Sequence, residues 1–369
     1  MKKIISGIIF TVLCICLVPV TGLPSTAFVL DNNGQPVYGK NMDYARMPGY
    51  VIVNKRGVAK TSAILAQEPD ANHISWTSQF GSVTFNLVAR EWPHDGINEA
   101  GLFISTMNGE GLGKDAFPEP DSRAPLVPLQ WVQYQLDNFS TVDEVIASFQ
   151  SIRIYRPPEN PRSPGPAHWF VSDSTGKCAS IEFLQGKMVC HAGWTMPVKV
   201  LANSTYDHSI AYFWQQRLEN FFSPIPIPED QIRTSLDRFA LAADRVKRYR
   251  PWRSGPAVDY AFQILQDVEM SAIFPTAVWS AVYDSANKQI HFSSWNNNQI
   301  RSIDLSALDF SCTTPVKVLD VSADLSGDVT DSLVDHTKEI DIKMLNSWGM
   351  SQAAIDYLSS YPDTTVCTE

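Results

Sequence analysis

The order in which apolar runs change their period constrains this fold most. Short strand-like runs come first, at Ala27–Leu30, Pro36–Gly39, Val51–Asn54, Ser82–Ala89 and Leu102–Met107. Between them lie turn-like stretches, Asn32-Asn33-Gly34 and Asp95-Gly96-Ile97-Asn98-Glu99-Ala100-Gly101. Helical spacing takes over at Leu126–Leu136, and Thr141-x-x-Glu144 is a capping-box pattern opening a helix to about Phe149. Trp169–Ser172, Ala179–Leu184 and Lys187–His191 read as strands, the last two turning at Gln185-Gly186. Helices are expected again around Ser209–Phe221, Leu236–Arg248 and Ala257–Met270, and Ala277–Tyr283 with Gln289–Trp295 form a closing hairpin. Arg156–Pro166 and Ser223–Glu229 are proline-rich loops. Strands, helices, strands, helices, strands is not the alternation of a parallel α/β sheet. It predicts a single α+β domain of two mainly antiparallel sheets covered by helices.

The chain opens Met1-Lys2-Lys3, followed by an apolar stretch from Ile4 to Val20. A basic start, a core of that length and small residues after it predict a cleaved signal peptide over residues 1–22, with Val20 and Gly22 at the cleavage site. The protein is therefore expected outside the cytoplasm, secreted or periplasmic. No later apolar run is long enough to span a bilayer. Residues 23–24 would remain as a short propeptide, and a second, self-catalysed trimming step would expose Ser25. A hydroxyl residue at a mature N-terminus has its own α-amine at hand as a base.

About 345 residues follow, with a formal net charge of −10 over the whole chain. That balance argues against nucleic acid as a partner, because phosphate binding needs a basic face. Four cysteines lie beyond the leader: Cys178, Cys190, Cys312 and Cys367. In an oxidising compartment Cys312–Cys367 is the best candidate disulfide and would tether the C-terminal tail. Cys178 and Cys190 flank the Gln185-Gly186 turn and would point to opposite faces, which discounts a bridge. None of the cysteines or histidines has metal-ligand spacing, so no metal and no cofactor is expected. Asn108-Gly109-Glu110-Gly111-Leu112-Gly113 has no following Lys-Ser/Thr and is not read as a phosphate loop.

Taken together, several stretches resemble the choloylglycine hydrolase and penicillin V acylase family of N-terminal nucleophile amidases. They are Ser25-Thr26 with Gly39-Lys40-Asn41-Met42-Asp43, Asn98-Glu99-Ala100-Gly101-Leu102 with Asn108, and His168 to Lys177. Leu201-Ala202-Asn203-Ser204, Asp237-Arg238-Phe239 and Asn296 to Ile300 complete the set, in order along nearly the whole mature chain. The resemblance implies a four-layered αββα sandwich and hydrolysis of a linear amide C–N bond without a cofactor. It gives Ser25 the nucleophile's place, its freed amine shuttling the proton, and Asp43 the task of orienting that amine. Asn108 and Asn203 would supply donors to the oxyanion, and Arg238 would hold the nucleophile region electrostatically. Lys40 takes the place of an arginine beside the nucleophile. The substrate implied is a small amphipathic acyl amide with a bulky apolar acyl group: a bile-salt conjugate, penicillin V or a fatty acyl amide. A homo-oligomer is compatible with the resemblance, although no long projecting hairpin is evident.

Two positions depart from the family pattern. Serine replaces cysteine at the attacking position and lysine replaces arginine at 40. A serine hydroxyl is far less ionised than a thiol, and lysine lacks the planar fork of arginine. Three readings follow: a serine enzyme retuned around its α-amine, an inactive descendant that binds amphipathic amides or a protein partner, or a serine introduced to trap a precursor or substrate.

Overall fold

The computed structural model describes residues 24–44, 47–63, 73–110, 112, 116–155, 166–221, 223–226, 233–269, 277–360 and 366–368. The predicted leader, most of the Arg156–Pro166 loop and part of Ser223–Glu229 lie outside them.

The first strands form a tight hairpin because the sequence supplies both the alternation and the turn. Ser25–Asn32 pairs antiparallel with Gln35–Asp43, closing at Asn32↔Gln35. The two turn residues, Asn33 and Gly34, have φ of 55° and 80°. That left-handed pair matches the twist of the strands it joins, and Asn and Gly tolerate it best. The hairpin sits inside a seven-stranded sheet, flanked on one side by Val200–Leu201 and on the other by Ala277–Asp284. Gln289–Ser294, Asn297–Asp304 and Gly327–Asp328 continue that sheet outward.

The second sheet has nine strands. Lys187–Ala192, Cys178–Leu184, Ala167–Ser172, Phe103–Asn108, Asp95–Asn98, Ser82–Asn86 and Tyr50–Asn54 follow one another across it. Lys317–Asp320 and Val334–Asp335 complete the far edge. The two sheets stack face to face over a core that includes Phe28, Tyr38, Phe85, Phe103, Phe170, Trp279 and Phe292.

Seven helices are present among the described residues. Helices α1 (Pro128–Asn138) and α2 (Val142–Ser148) cover the outer face of the nine-stranded sheet, around Trp131, Trp169 and Phe183. Helices α3 (Tyr206–Glu219), α4 (Ser235–Arg248) and α5 (Ala257–Asp267) form the layer beyond the seven-stranded sheet. Helices α6 (Lys338–Ser347) and α7 (Gln352–Ser360) pack beside the Tyr50–Asn54 strand and the 87–89 segment. Helix, sheet, sheet, helix is the expected α+β sandwich.

The expected capping box at Thr141 and Glu144 is present, each closing on the other's backbone N–H. The Cys312–Cys367 disulfide is present and ties Val366–Cys367 to the Val58–Thr61 strand. Cys178 and Cys190 are free, on strands that turn at Gln185-Gly186.

Two boundaries differ from the sequence reading. Leu126 does not open a helix: Ala124–Leu126 is a strand paired with Ile152–Ile154, and α1 begins at Pro128. Proline at a first helical position lacks only an N–H that is orphaned there anyway, while it disfavours helical backbone in the residue before it. Asp95-Gly96 is not a turn but part of a buried central strand. At Gly96 a Cβ would lie 2.7 Å from the carbonyl of Val83, so the glycine allows close strand approach.

Candidate active site

Ser25 lies at the free end of the first hairpin, fully buried. Its register partner is Met42, and strand alternation places Ser25, Ala27, Lys40 and Met42 on one face. That face looks into the gap between the sheets. Three side chains from it cross the gap: Tyr38 donates its hydroxyl to Asp173 O at 2.8 Å, Lys40 Nζ to Thr106 O at 3.1 Å, and Trp279 Nε1 to Asp95 Oδ2 at 3.1 Å. Ser25 Oγ lies 3.6 Å from Met42 Sδ.

The Ser25 nitrogen donates to Asn203 Oδ1 at 2.8 Å, and Arg238 Nη2 donates to the same oxygen at 2.6 Å. Asn203 Nδ2 donates to Asn108 O at 2.9 Å. A single amide side chain thus ties together the end of one sheet, the end of the other and helix α4. Asn203 is held in turn by Ser235, whose hydroxyl accepts from the backbone N–H groups of Asn203 and Ser204 at 2.9 and 2.7 Å. Ser235 is the first residue of α4, positioned by a reciprocal cap between Thr234 and Asp237. Glu110 adds a backbone bond to Asn203 O at 2.7 Å.

The helix layer contributes charge as well as position. Arg238 is buried, and its other guanidinium nitrogen donates to Arg233 O at 2.9 Å. Burial pulls its proton affinity down, while Asp43, Glu110 and Asp237 counter that pull. Asp43 lies on the opposite face of its strand from Lys40 and donates its backbone N–H to Pro24 O at 3.0 Å. Helix α3 also starts here, at Tyr206 after the cap residue Thr205, and its first N–H is received by Glu182, which also bonds His168 at 2.8 Å.

The structure therefore brings Ser25, Asn108, Asn203 and Arg238 into one hydrogen-bonded chain. Lys40 and Asp43 flank it from the two faces of the partner strand. In this geometry the Ser25 nitrogen bonds Asn203 rather than Asp43. Asn203 Nδ2 is committed to Asn108 O, whereas Asn108 Nδ2 is buried with no partner among the described residues. Arg238 Nε is a second buried donor without a partner among the described residues.

Sequence reading passed over three residues that shape this region. Ser235 hides as an ordinary helix-opening serine, and Glu110 sits in a glycine-rich loop. Asp95 was absorbed into a turn-like stretch, yet it is fully buried and faces the row that holds Lys40. Its one available signal was the apolar Ile97 two positions on, which marks a strand face. Among the described residues no cluster of His, Cys, Asp and Glu could hold a metal ion, and no helix is long and apolar enough to cross a membrane.

Penicillin V acylase from Pectobacterium atrosepticum is 29% identical over 273 residues, spanning 64% of this chain and 69% of that protein. A bile salt hydrolase/transferase from Clostridium perfringens is 24% identical over 187 residues, 48% of this chain and 53% of that one. The solved structure of penicillin V acylase from Agrobacterium tumefaciens superposes with a TM-score of 0.68 at 26% identity, covering 85% of this chain and 98% of that one. A variant of conjugated bile acid hydrolase from Clostridium perfringens shares the fold at 19% identity, with a TM-score of 0.64. The model of the linear amide C–N hydrolases, choloylglycine hydrolase family, matches residues 25–318, beginning at Ser25 itself. This chain belongs to the choloylglycine hydrolase family of linear amide C–N hydrolases.

Proposed function

We propose that this is an exported amidohydrolase in which Ser25, freed as the mature N-terminus, attacks the carbonyl carbon of an amphipathic acyl amide. The Ser25 hydroxyl proton passes to its α-amine, and Oγ bonds to the carbonyl carbon. The tetrahedral oxyanion takes the Asn108 side-chain donor, the kind of preorganised contact that contributes most to acyl transfer. Collapse breaks the C–N bond, and the α-ammonium hands its proton to the departing amine. Water then cleaves the acyl-serine ester by the same route in reverse.

The observation that carries this reading is the Ser25 nitrogen held at 2.8 Å by Asn203 Oδ1, which Arg238 fixes. Here that nitrogen is still a peptide N–H; once it is a free amine, the same grip orients it as a proton shuttle. The bond that must break to free it is Pro24–Ser25, and the Pro24 carbonyl accepts the Asp43 N–H. Polarising that carbonyl next to the Ser25 hydroxyl favours self-catalysed release. Asp43 orients the new amine once the propeptide has gone. Penicillin V acylases and a bile salt hydrolase among the relatives support a bulky, apolar acyl group.

Two measurements on protein recovered from the periplasm or medium test the reading: mass spectrometry of the N-terminal peptide, and turnover of glycine-conjugated bile salts, penicillin V and acyl-homoserine lactones. Ser25 as first residue, with turnover of at least one class, is the expected outcome. A chain that starts at Leu23 and is inert to all three sinks the enzyme and leaves the binding protein. Ser25→Cys should raise amidase activity severalfold and make it sensitive to thiol reagents, because a thiolate is the better nucleophile.

A further inference from the structure

Between the sheets, two positions along from Ser25, lies a polar island in an otherwise apolar core. Lys40 enters it from the seven-stranded sheet and is fully buried, with its ammonium on Thr106 O. Asp95 and its register partner Ser105 enter from the facing sheet. Asp95 Oδ2 takes the Trp279 indole, while Asp95 Oδ1, Ser105 Oγ, Tyr283 Oη and His94 Nδ1 are buried without a partner among the described residues. Groups like these are expensive to bury unless each serves another.

The charges around Lys40 can be taken in turn. Asp43 lies on the other face of its own strand, and Arg238 lies on α4 in the helix layer. His94 is pushed down to about 3 by burial and by Lys40, so it stays neutral. Tyr283 is pushed well above its ordinary range by burial and by Asp95, so it keeps its proton. That leaves Asp95, a carboxyl pushed up to about 7 by burial, as the group that becomes the anion facing Lys40 on the alkaline side, more than ion-pair distance away. Burial drives the Lys40 ammonium below the usual lysine range, and Asp95 is the strongest influence restoring it. Burial likewise drives the Asp95 carboxyl up, and Lys40 is the strongest influence holding it down.

We propose that Asp95 is a positioning residue for amide hydrolysis: from the facing sheet it keeps the Lys40 side chain, two positions along the hairpin from Ser25, charged within the gap between the sheets, a service that lysine needs and arginine does not. The proposal rests on Ser25 being the attacking residue. Arginine holds its proton at every working pH, whereas a buried lysine sheds it readily. Removing the Asp95 charge lowers the proton affinity of Lys40 further, so the alkaline limb of activity moves to lower pH.

The test is the pH dependence of kcat/KM for four proteins: the natural sequence, Asp95→Asn, Lys40→Arg and the double variant. Asp95→Asn should shift the alkaline limb down by at least one pH unit and cut activity more than tenfold on that limb. In the Lys40→Arg background the same change should cost less than threefold and shift nothing. An equal loss in both backgrounds, or a loss by the same factor at every pH, overturns the proposal. If Asp95→Asn does not fold, Trp279→Phe removes the bond that fixes Asp95, and it should shift the limb in the same direction by a smaller amount; no shift overturns the proposal. A readout without turnover separates this from the function itself. The Nζ resonance of Lys40 in 15N-lysine-labelled protein, assigned by its absence in Lys40→Arg, should titrate at lower pH in Asp95→Asn. An unmoved titration contradicts the role of Asp95, whereas a moved titration in a protein inert to every amide contradicts only the role given to Ser25.

Discussion

Lys60 and Lys40 are both buried lysines, and the fold treats them in opposite ways. Lys60 Nζ touches two carboxylates, Glu91 Oε2 at 2.7 Å and Asp137 Oδ2 at 3.0 Å. Asp137 is completed by Trp76 and Gln133, each at 2.8 Å, and Glu91 by Arg90. Burial alone would lower the proton affinity of Lys60, yet Asp137 and Glu91 raise it above the ordinary value. Among the described residues Lys40 has only a backbone carbonyl within hydrogen-bond reach and a carboxylate at a distance, so burial wins and its affinity falls. The first arrangement is a clamp between the Val58–Thr61 strand, α1 and the loop at Glu91. The second is a buried ammonium left incompletely satisfied, two positions along the hairpin from the residue proposed to do the chemistry. Imperfect neutralisation of a buried charge is worth tolerating only where that charge has work to do.

The largest effect expected from this contrast belongs to the clamp. Lys60→Met strands two buried carboxylates, and chemical denaturation should show a loss of about 3–5 kcal/mol. The pH dependence of any amidase activity should stay as it was. Next comes Ser235→Ala, which leaves the N–H groups of Asn203 and Ser204 without their acceptor. At about 1 kcal/mol or a little more for each of the two buried donors, a loss of about 2–3 kcal/mol is expected, together with slower turnover as Asn203 loosens. Smallest in stability is Lys40→Met, which removes a charge the fold barely supports and lets Asp95 take a proton. The change in unfolding free energy should stay within about 1 kcal/mol, with activity falling at least a hundredfold. If Lys40→Met destabilises as much as Lys60→Met, the two lysines are alike and the comparison fails.

The same contrast has a sign in pH. The folded state binds the Lys40 proton less tightly than the unfolded chain does, so folding carries a penalty while both states are charged. That penalty fades as pH rises from the depressed folded value towards the ordinary lysine range, near 10.4. Lys60 has the reverse shift, and its contribution is complete below the ordinary lysine range and is lost only as pH climbs through its raised folded value. Relative to Lys40→Met, the natural sequence should therefore gain stability across mildly alkaline pH. Denaturation midpoints taken at intervals through that range would reveal the gain or its absence.

Much of the site was legible because its residues sit at places where short sequence patterns and geometry coincide. Ser25 begins one strand and Asp43 ends the other at the open end of one hairpin, and the Asn-Gly turn fixes the register that makes Ser25 face Met42. Asn108 ends a strand, Asn203 follows one closely, and Arg238 follows a cap. Asp95 escaped because Asp-Gly is the commonest turn signal, and only burial by the facing sheet makes it a strand. Leu126 was misplaced for a related reason: its apolar spacing fits a helix, but Pro128 sets where that helix begins. Ser235 could not have been singled out, since its partners lie about thirty residues away in sequence and meet it only in the folded chain. Local pattern carried the residues proposed for chemistry, and tertiary contact decided which residues hold them.

The activity proposed for this protein depends on Ser25 acting as an N-terminal nucleophile. Its most direct test is mass spectrometry of the exported protein, acid-quenched during turnover of a phenoxyacetyl amide and digested. The expected result is a peptide that begins at Ser25 and carries one phenoxyacetyl group, absent in Ser25→Ala. Turnover with no acyl group on that peptide, or with Ser25 still behind Pro24, would contradict it.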